Sequence, residues 1–146
     1  MNEIQELYFL ALEHHKRNDF AKAEGFYRKV IAKNAHHSES LNGLGMIMLS
    51  KNKNEYAESF FNNAIKANPK NAQAIMNLAS IKHQDGLYVE AKSLYEDALQ
   101  IEPNNPDFLY NYAQALNNLR LLTEAAQVFA SIAAQKPEAL LMLGSI

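Results

Sequence analysis

The sequence holds no cysteine, which excludes disulfides, thiolate chemistry and cysteine-based zinc sites and permits a reducing compartment. It holds no basic excess: 14 Lys and Arg stand against 16 Asp and Glu, a formal charge of −2. Proteins that neutralise a phosphate backbone carry a basic surplus or stripe, so no nucleic-acid partner is expected. No apolar run approaches the length of a membrane span, and the opening Met1-Asn2-Glu3-Ile4-Gln5-Glu6 is acidic where a secretory leader is basic. No membrane partner is expected, and the expected location is cytoplasmic. Also missing are a phosphate-binding glycine loop, a dinucleotide fingerprint, a His-Glu-x-x-His and a Gly-x-Ser-x-Gly. The expectation is a protein that is not an enzyme and uses no cofactor.

What the sequence does have is a period. Pro69, Pro103 and Pro137 recur every 34 residues, and so do Ala23, Ala57, Ala91 and Ala125. The same step links Tyr27, Phe61, Tyr95 and Phe129, and also Leu7, Leu41, Ile75 and Leu109. Four columns with one spacing define a structural repeat. Apolar residues make up 48% of the chain and charged residues 21%, enough for a packed core and inconsistent with disorder.

Within each unit apolar residues lie three and four apart, the spacing of a helix face. In residues 72–101 one stripe runs through Ile75, Leu78, Ala79 and Ile81, Asp85-Gly86 interrupts it, and a second runs from Tyr88 to Leu99 before Pro103 stops it. First helices are expected at about 4–17, 38–51, 72–85 and 106–118, and second helices at about 20–33, 54–67, 88–101 and 122–135. Ala11, Gly45, Ala79 and Ala113 on the first helices, and the alanine column on the second, let backbones approach closely. Gly45 costs about 1 kcal/mol against alanine in a helix, and close approach supplies the reason for it. The aromatic column supplies the bodies that fill the space between successive hairpins.

Leu41-x-x-Leu44-Gly45, Ala57-x-x-x-Phe61-x-x-Ala64 and Pro69, repeated as Ile75-x-x-Leu78-Ala79, Gly86-x-Tyr88-x-x-Ala91-x-x-x-Tyr95-x-x-Ala98 and Pro103, resemble the tetratricopeptide repeat. The departures are Ala35 in place of a proline, Asn54 in place of an aromatic and Arg120 in place of the turn glycine. The resemblance implies an all-α, right-handed α-solenoid whose first helices line a concave groove. Over residues 1–146 it implies a single domain with repeats at about 4–37, 38–71, 72–105 and 106–137, and a truncated fifth first-helix at 138–146.

A solenoid end normally carries a polar cap, because each unit buries its face only against a neighbour. The tail Glu138-Ala139-Leu140-Leu141-Met142-Leu143 is apolar instead. Two expectations follow: a chain that continues beyond Ile146, or a homo-oligomer formed through Leu140, Leu141 and Leu143. The stretch Ala11-Leu12-Glu13-His14-His15 with Ala23-Glu24-x-x-Tyr27-Arg28 is similar to the N-terminal repeats of bacterial multi-domain proteins. That likeness implies the substrate-recognition arm of a glycosyl-, methyl- or sulfotransferase.

The histidines come nearest to a ligand set. His14 and His15 point about 100° apart on one helix, and His36 and His37 fall in a turn. His15 and His83 sit two repeats apart, on the order of 20 Å for helices spaced 8–10 Å. A metal needs three or four convergent donors, so no metal site is expected. The histidines read as solvated or hydrogen-bonding.

First-helix residues that do not point into the core are the candidate groove: Tyr8, Leu12 and His15; Asn42, Met46 and Leu49; Met76, Asn77, Ser80 and His83; Tyr110, Asn111, Gln114 and Asn117. The first half offers aromatic and apolar groups and the second half carboxamides, which donate and accept at once and can pair with an extended peptide backbone. Asn77 and Asn111 resemble the asparagine ladder of the O-GlcNAc transferase superhelix, whose matching places in the first two repeats hold Phe9 and Gly43. The places of the carboxylate clamp of chaperone adaptors hold Tyr8, Leu12, Gly43, Gln73 and Asn77, with no cation. Chaperone C-termini are therefore not expected ligands. The expected function is a protein-interaction module for a peptide or partner domain. Charge is uneven along the chain: residues 1–70 carry ten cations and eight anions, and residues 71–146 four and eight, a difference read here as a solvated surface.

Overall fold

The computed structural model describes residues 1–145; Ile146, the last residue of the expected partial helix, lies outside them. The described residues form helices α1 (Glu3–Lys16), α2 (Phe20–Lys33), α3 (Ser38–Ser50), α4 (Asn54–Ala67), α5 (Ala72–Gln84), α6 (Tyr88–Ile101), α7 (Pro106–Asn118), α8 (Leu122–Ile132) and α9 (Glu138–Gly144), and no strand. No helix among them is long and apolar enough to cross a membrane. The chain divides into two compact units, Met1–Ala74 and Ile75 onward.

Each hairpin turns on the same device. Asn18, Asn52, Gly86 and Arg120 have φ of 60°, 60°, 78° and 64°, the left-handed conformation that ends a helix. The bond pair of a Schellman motif recurs at all four: Asp19, Lys53, Leu87 and Arg120's neighbour Leu121 donate their N–H to the carbonyls of His14, Met48, Lys82 and Leu116 at 2.9 Å. The turn lacking its expected glycine thus closes like the others, with Arg120 held in a conformation costing an L-residue roughly 1–2 kcal/mol.

Connections between hairpins are capped by a second column. His37 Nδ1 accepts from the Ser40 N–H at 3.3 Å, Asn71 Oδ1 from Ala74 at 3.1 Å and Asn105 Oδ1 from Phe108 at 3.2 Å. Each satisfies a donor that the first helical turn leaves open. α8 ends three residues before the expected 135: Gln135 and Lys136 both donate to the Ile132 carbonyl, closing a turn just ahead of Pro137, which has no N–H to extend a helix.

In the first unit Tyr27, Leu44, Ile47 and Phe61 are buried, and Leu41, Ala64 and Ala74 form a cluster joined by Ile31 and Phe60. A glycine is required twice. A Cβ on Gly43 would lie less than 3.0 Å from three atoms of the Tyr27 ring, and one on Gly45 equally close to Phe61. In the second unit Tyr95 packs with Ala79, Ala91 and Ala115, and Phe129 with Ala113, Leu116, Ala125, Ile132 and Ala139. Leu143 packs against that last cluster, so of the three tail leucines expected to stand free, only Leu140 and Leu141 do, at 59% and 78% exposure.

Candidate functional site

In the first unit α1 and α3 are first helices of successive hairpins, and α2 brings Tyr27 up between them. With no side chain on Gly43, the Tyr27 ring fits against α3 and its hydroxyl reaches His15 Nδ1 at 2.8 Å. Tyr8 packs beside it, with ring centroids 6.3 Å from Tyr27 and 4.9 Å from His37. The result is a cleft of about 380 Å³, lined by Tyr8, Leu12, His15, Lys16, Tyr27, Glu39, Asn42, Gly43, Met46, Asn71 and Gln73.

Five of the six groove residues expected in this unit, Tyr8, Leu12, His15, Asn42 and Met46, converge there; Leu49 does not line the cleft. Tyr27 lies in the core as expected, 1% exposed, but its ring also lines the cleft, which sequence reasoning did not foresee, and Lys16, Glu39 and Asn71 were not among the expected groove residues. The signal for Tyr27 was Gly43, a helical glycine with no other explanation.

Burial sets the charges. The Tyr8 phenol is pushed above its ordinary range by burial and then by the Glu39 carboxylate, and Tyr27 is pushed up by burial and then by Tyr8. Burial lowers His15. The His15–Tyr27 hydrogen bond therefore joins two neutral groups. Lys16 and Glu39 stand at the rim of an apolar floor, while Asn42 is 9% exposed and Asn71 is engaged by the Ser38 hydroxyl and the Ala74 N–H.

The second unit holds the other candidates. Asn77 is only 8% exposed and already engaged by neighbouring groups. Asn111 is half-buried, with Nδ2 3.7 Å from Met76 Sδ. Ser80 Oγ donates to the Met76 carbonyl at 3.1 Å and lies 3.4 Å from the Tyr95 hydroxyl. His83, its pKa lowered by burial, meets Asn118 Nδ2 through Nε2 at 2.6 Å and stands edge-on to Tyr88. Tyr110 packs edge-on to Phe129 at 5.7 Å. Gln114 and Asn117 are half-buried. Ser80, Asn111 and His83 are thus engaged by side chains or backbone of the same unit. No three potential metal ligands converge among the described residues.

Residues 8–72 and 49–106 each match one family model described as tetratricopeptide repeat, and residues 82–143 match a second of the same description. No curated protein matches the sequence significantly. Among solved structures, YrrB, "a TPR protein with an unusual peptide-binding site", is 20% identical with a TM-score of 0.78 over 95% of this chain and 73% of that one. The first TPR of Spaghetti (RPAP3), bound to the HSP90 peptide SRMEEVD, is 20% identical with a TM-score of 0.73 over 81% and 94%. The Arabidopsis OM64 TPR domain is 20% identical with a TM-score of 0.70 over 77% and 93%. The fold is the all-α helical-repeat type of these solenoid proteins.

Proposed function

The chain belongs to the tetratricopeptide repeat family, and from that premise we propose that it is a protein-interaction module whose first-unit cleft seats an extended segment of a partner protein. The observation that carries this reading is the cleft itself: aromatic and aliphatic groups that can enclose one side chain of a partner, with a lysine and a glutamate at the rim. A neighbouring fold holding a peptide supports the same use of the scaffold. Lys16 and Glu39 add one charge of each sign at the rim, which favours a segment with mixed charges over a strongly acidic tail.

The test is a peptide-library selection against the purified protein, followed by affinity measurements on variants. Met46 is 38% exposed, so Met46→Asp leaves the fold intact while placing a charge in the cleft. Selected peptides should lose about tenfold or more in affinity, since a buried unpaired charge costs at least 1.4 kcal/mol. Undiminished binding removes the cleft from the proposal.

A second reading, self-association through α9, is favoured by the exposure of Leu140 and Leu141. A Leu140→Lys, Leu141→Lys double variant that leaves the solution mass unchanged sinks it.

A further inference from the structure

The outer face of α2 carries a glycine that packing does not require. A Cβ on Gly25 would meet nothing within 4 Å, yet glycine within a helix costs about 1 kcal/mol against alanine. Gly25 forms the floor of a separate cleft of about 430 Å³, walled by His14, Lys22, Phe26 and Lys29. The His14 ring stacks on Phe26, with centroids 5.5 Å apart and planes 9° apart. Lys29 Nζ lies 5.1 Å from the centre of the Phe26 ring. Lys29 makes no ion pair among the described residues, and Lys22 only a 4.0 Å one with Asp19. The patch is basic, with an apolar hollow at its middle.

The repeat carries the same helix face to α6. Two periods on, the places of Lys22, Gly25, Phe26 and Lys29 hold Glu90, Ser93, Leu94 and Asp97. Both charges are reversed. Glu90 and Asp97 are exposed and make no ion pair among the described residues. In each helix the charges are seven residues apart, about 10.5 Å along the axis, so the two faces match in spacing as well as sign. Laid antiparallel, Lys22 meets Asp97, Lys29 meets Glu90, and the exposed edge of Leu94, whose other side packs on the Ala79, Ala91, Tyr95 and Ala115 cluster, faces the hollow over Gly25. The parallel arrangement pairs the charges too but leaves the hollow facing Ser93. The uneven charge of the chain, +2 over residues 1–70 and −4 over residues 71–146, favours the same contact.

We propose that the chain associates with a second copy of itself, α2 of one copy lying antiparallel on α6 of the other. The contact joins two different surfaces. It closes into a dimer where both α2–α6 pairs form together, and otherwise runs on from copy to copy. Two helices bury little area compared with a stable complex, so the association is weak and sensitive to salt.

Sedimentation velocity on the full chain over a range of concentrations tests this, with two charge-reversal variants, Lys22→Glu/Lys29→Glu and Glu90→Lys/Asp97→Lys. The wild type should gain mass with concentration and lose it in high salt. Each variant alone should associate about tenfold or more weakly, because like charges then oppose each other, while an equimolar mixture of the two regains association. Gly25→Leu, which fills the hollow and favours the helix, should weaken association without lowering the melting temperature. A wild type that stays monomeric throughout overturns the proposal, including one that binds an acidic peptide at α2 instead. So does a mixture that fails to recover, or loss of association in the Leu140→Lys, Leu141→Lys variant.

Discussion

The ring of Tyr27 lies over the backbone of Gly43, so near that a Cβ on residue 43 would stand less than 3.0 Å from three of its carbons. Tyr27 is 1% exposed and tied to His15, so the ring has no easy way to move. Gly43→Ala should destabilise by about 1–3 kcal/mol from overpacking, against the roughly 1 kcal/mol that alanine contributes to a helix. Chemical denaturation measures the balance; a more stable variant would mean the ring yields freely.

Arg120 holds a φ of 64° in the turn where the third repeat uses Gly86. Arg120→Gly should raise stability by about 0.5–1 kcal/mol, since the strain relieved exceeds the entropy glycine loses on folding. Gly86→Ala should lower it by a similar amount. Both are read from denaturation midpoints at unchanged slope.

His15 and His83 are held below the ordinary histidine pKa of about 6.5 by burial. The unfolded chain takes up their protons first as pH falls. The stability of the neutral rings is therefore full above about pH 6.5 and declines as pH drops through the lower folded values. A melting-temperature series from neutral to mildly acidic pH should fall, and less steeply in a His15→Gln, His83→Gln variant. Identical slopes would count against burial as the cause.

Ser40 is fully buried and its hydroxyl has no partner among the described residues. One repeat on, the same place holds buried Ala74. Ser40→Ala should leave stability unchanged or raise it by up to about 1 kcal/mol, because an unmet hydroxyl is costly to bury. A clear loss in thermal unfolding would reveal a partner for Oγ.

Phe61 and Phe129 are both 0% exposed. Truncating either to alanine should cost about 3–5 kcal/mol. The Phe61 variant should lose more where Gly45 leaves no side chain to collapse into the hole.

The elements were legible in the sequence because a helix repeats its burial every three to four residues and the hairpin repeats every 34. Among the eight helices of the four repeats, ends agree to within one residue except at α8, where the cost of Pro137 reaches back past the apolar pattern; α9 ends at Gly144, short of the expected 146. The sequence also sorted Tyr8, Leu12, His15, Asn42 and Met46 onto one face. It could not show Tyr27 among them, because periodicity says which face a residue occupies and not how far a ring reaches across to the next helix. Asn77 likewise lies on the expected face, yet at 8% exposure its neighbours cover it.

By itself, then, the sequence determined the repeat, the hairpins and their facing stripes, since these depend on local spacing along one chain. Tertiary structure alone decided that Gly43 admits Tyr27 to the cleft, that Gly45 admits Phe61, and that Gly25 admits nothing from its own chain. Those three glycines are indistinguishable as letters. What separates them is the distance to atoms brought close only by folding.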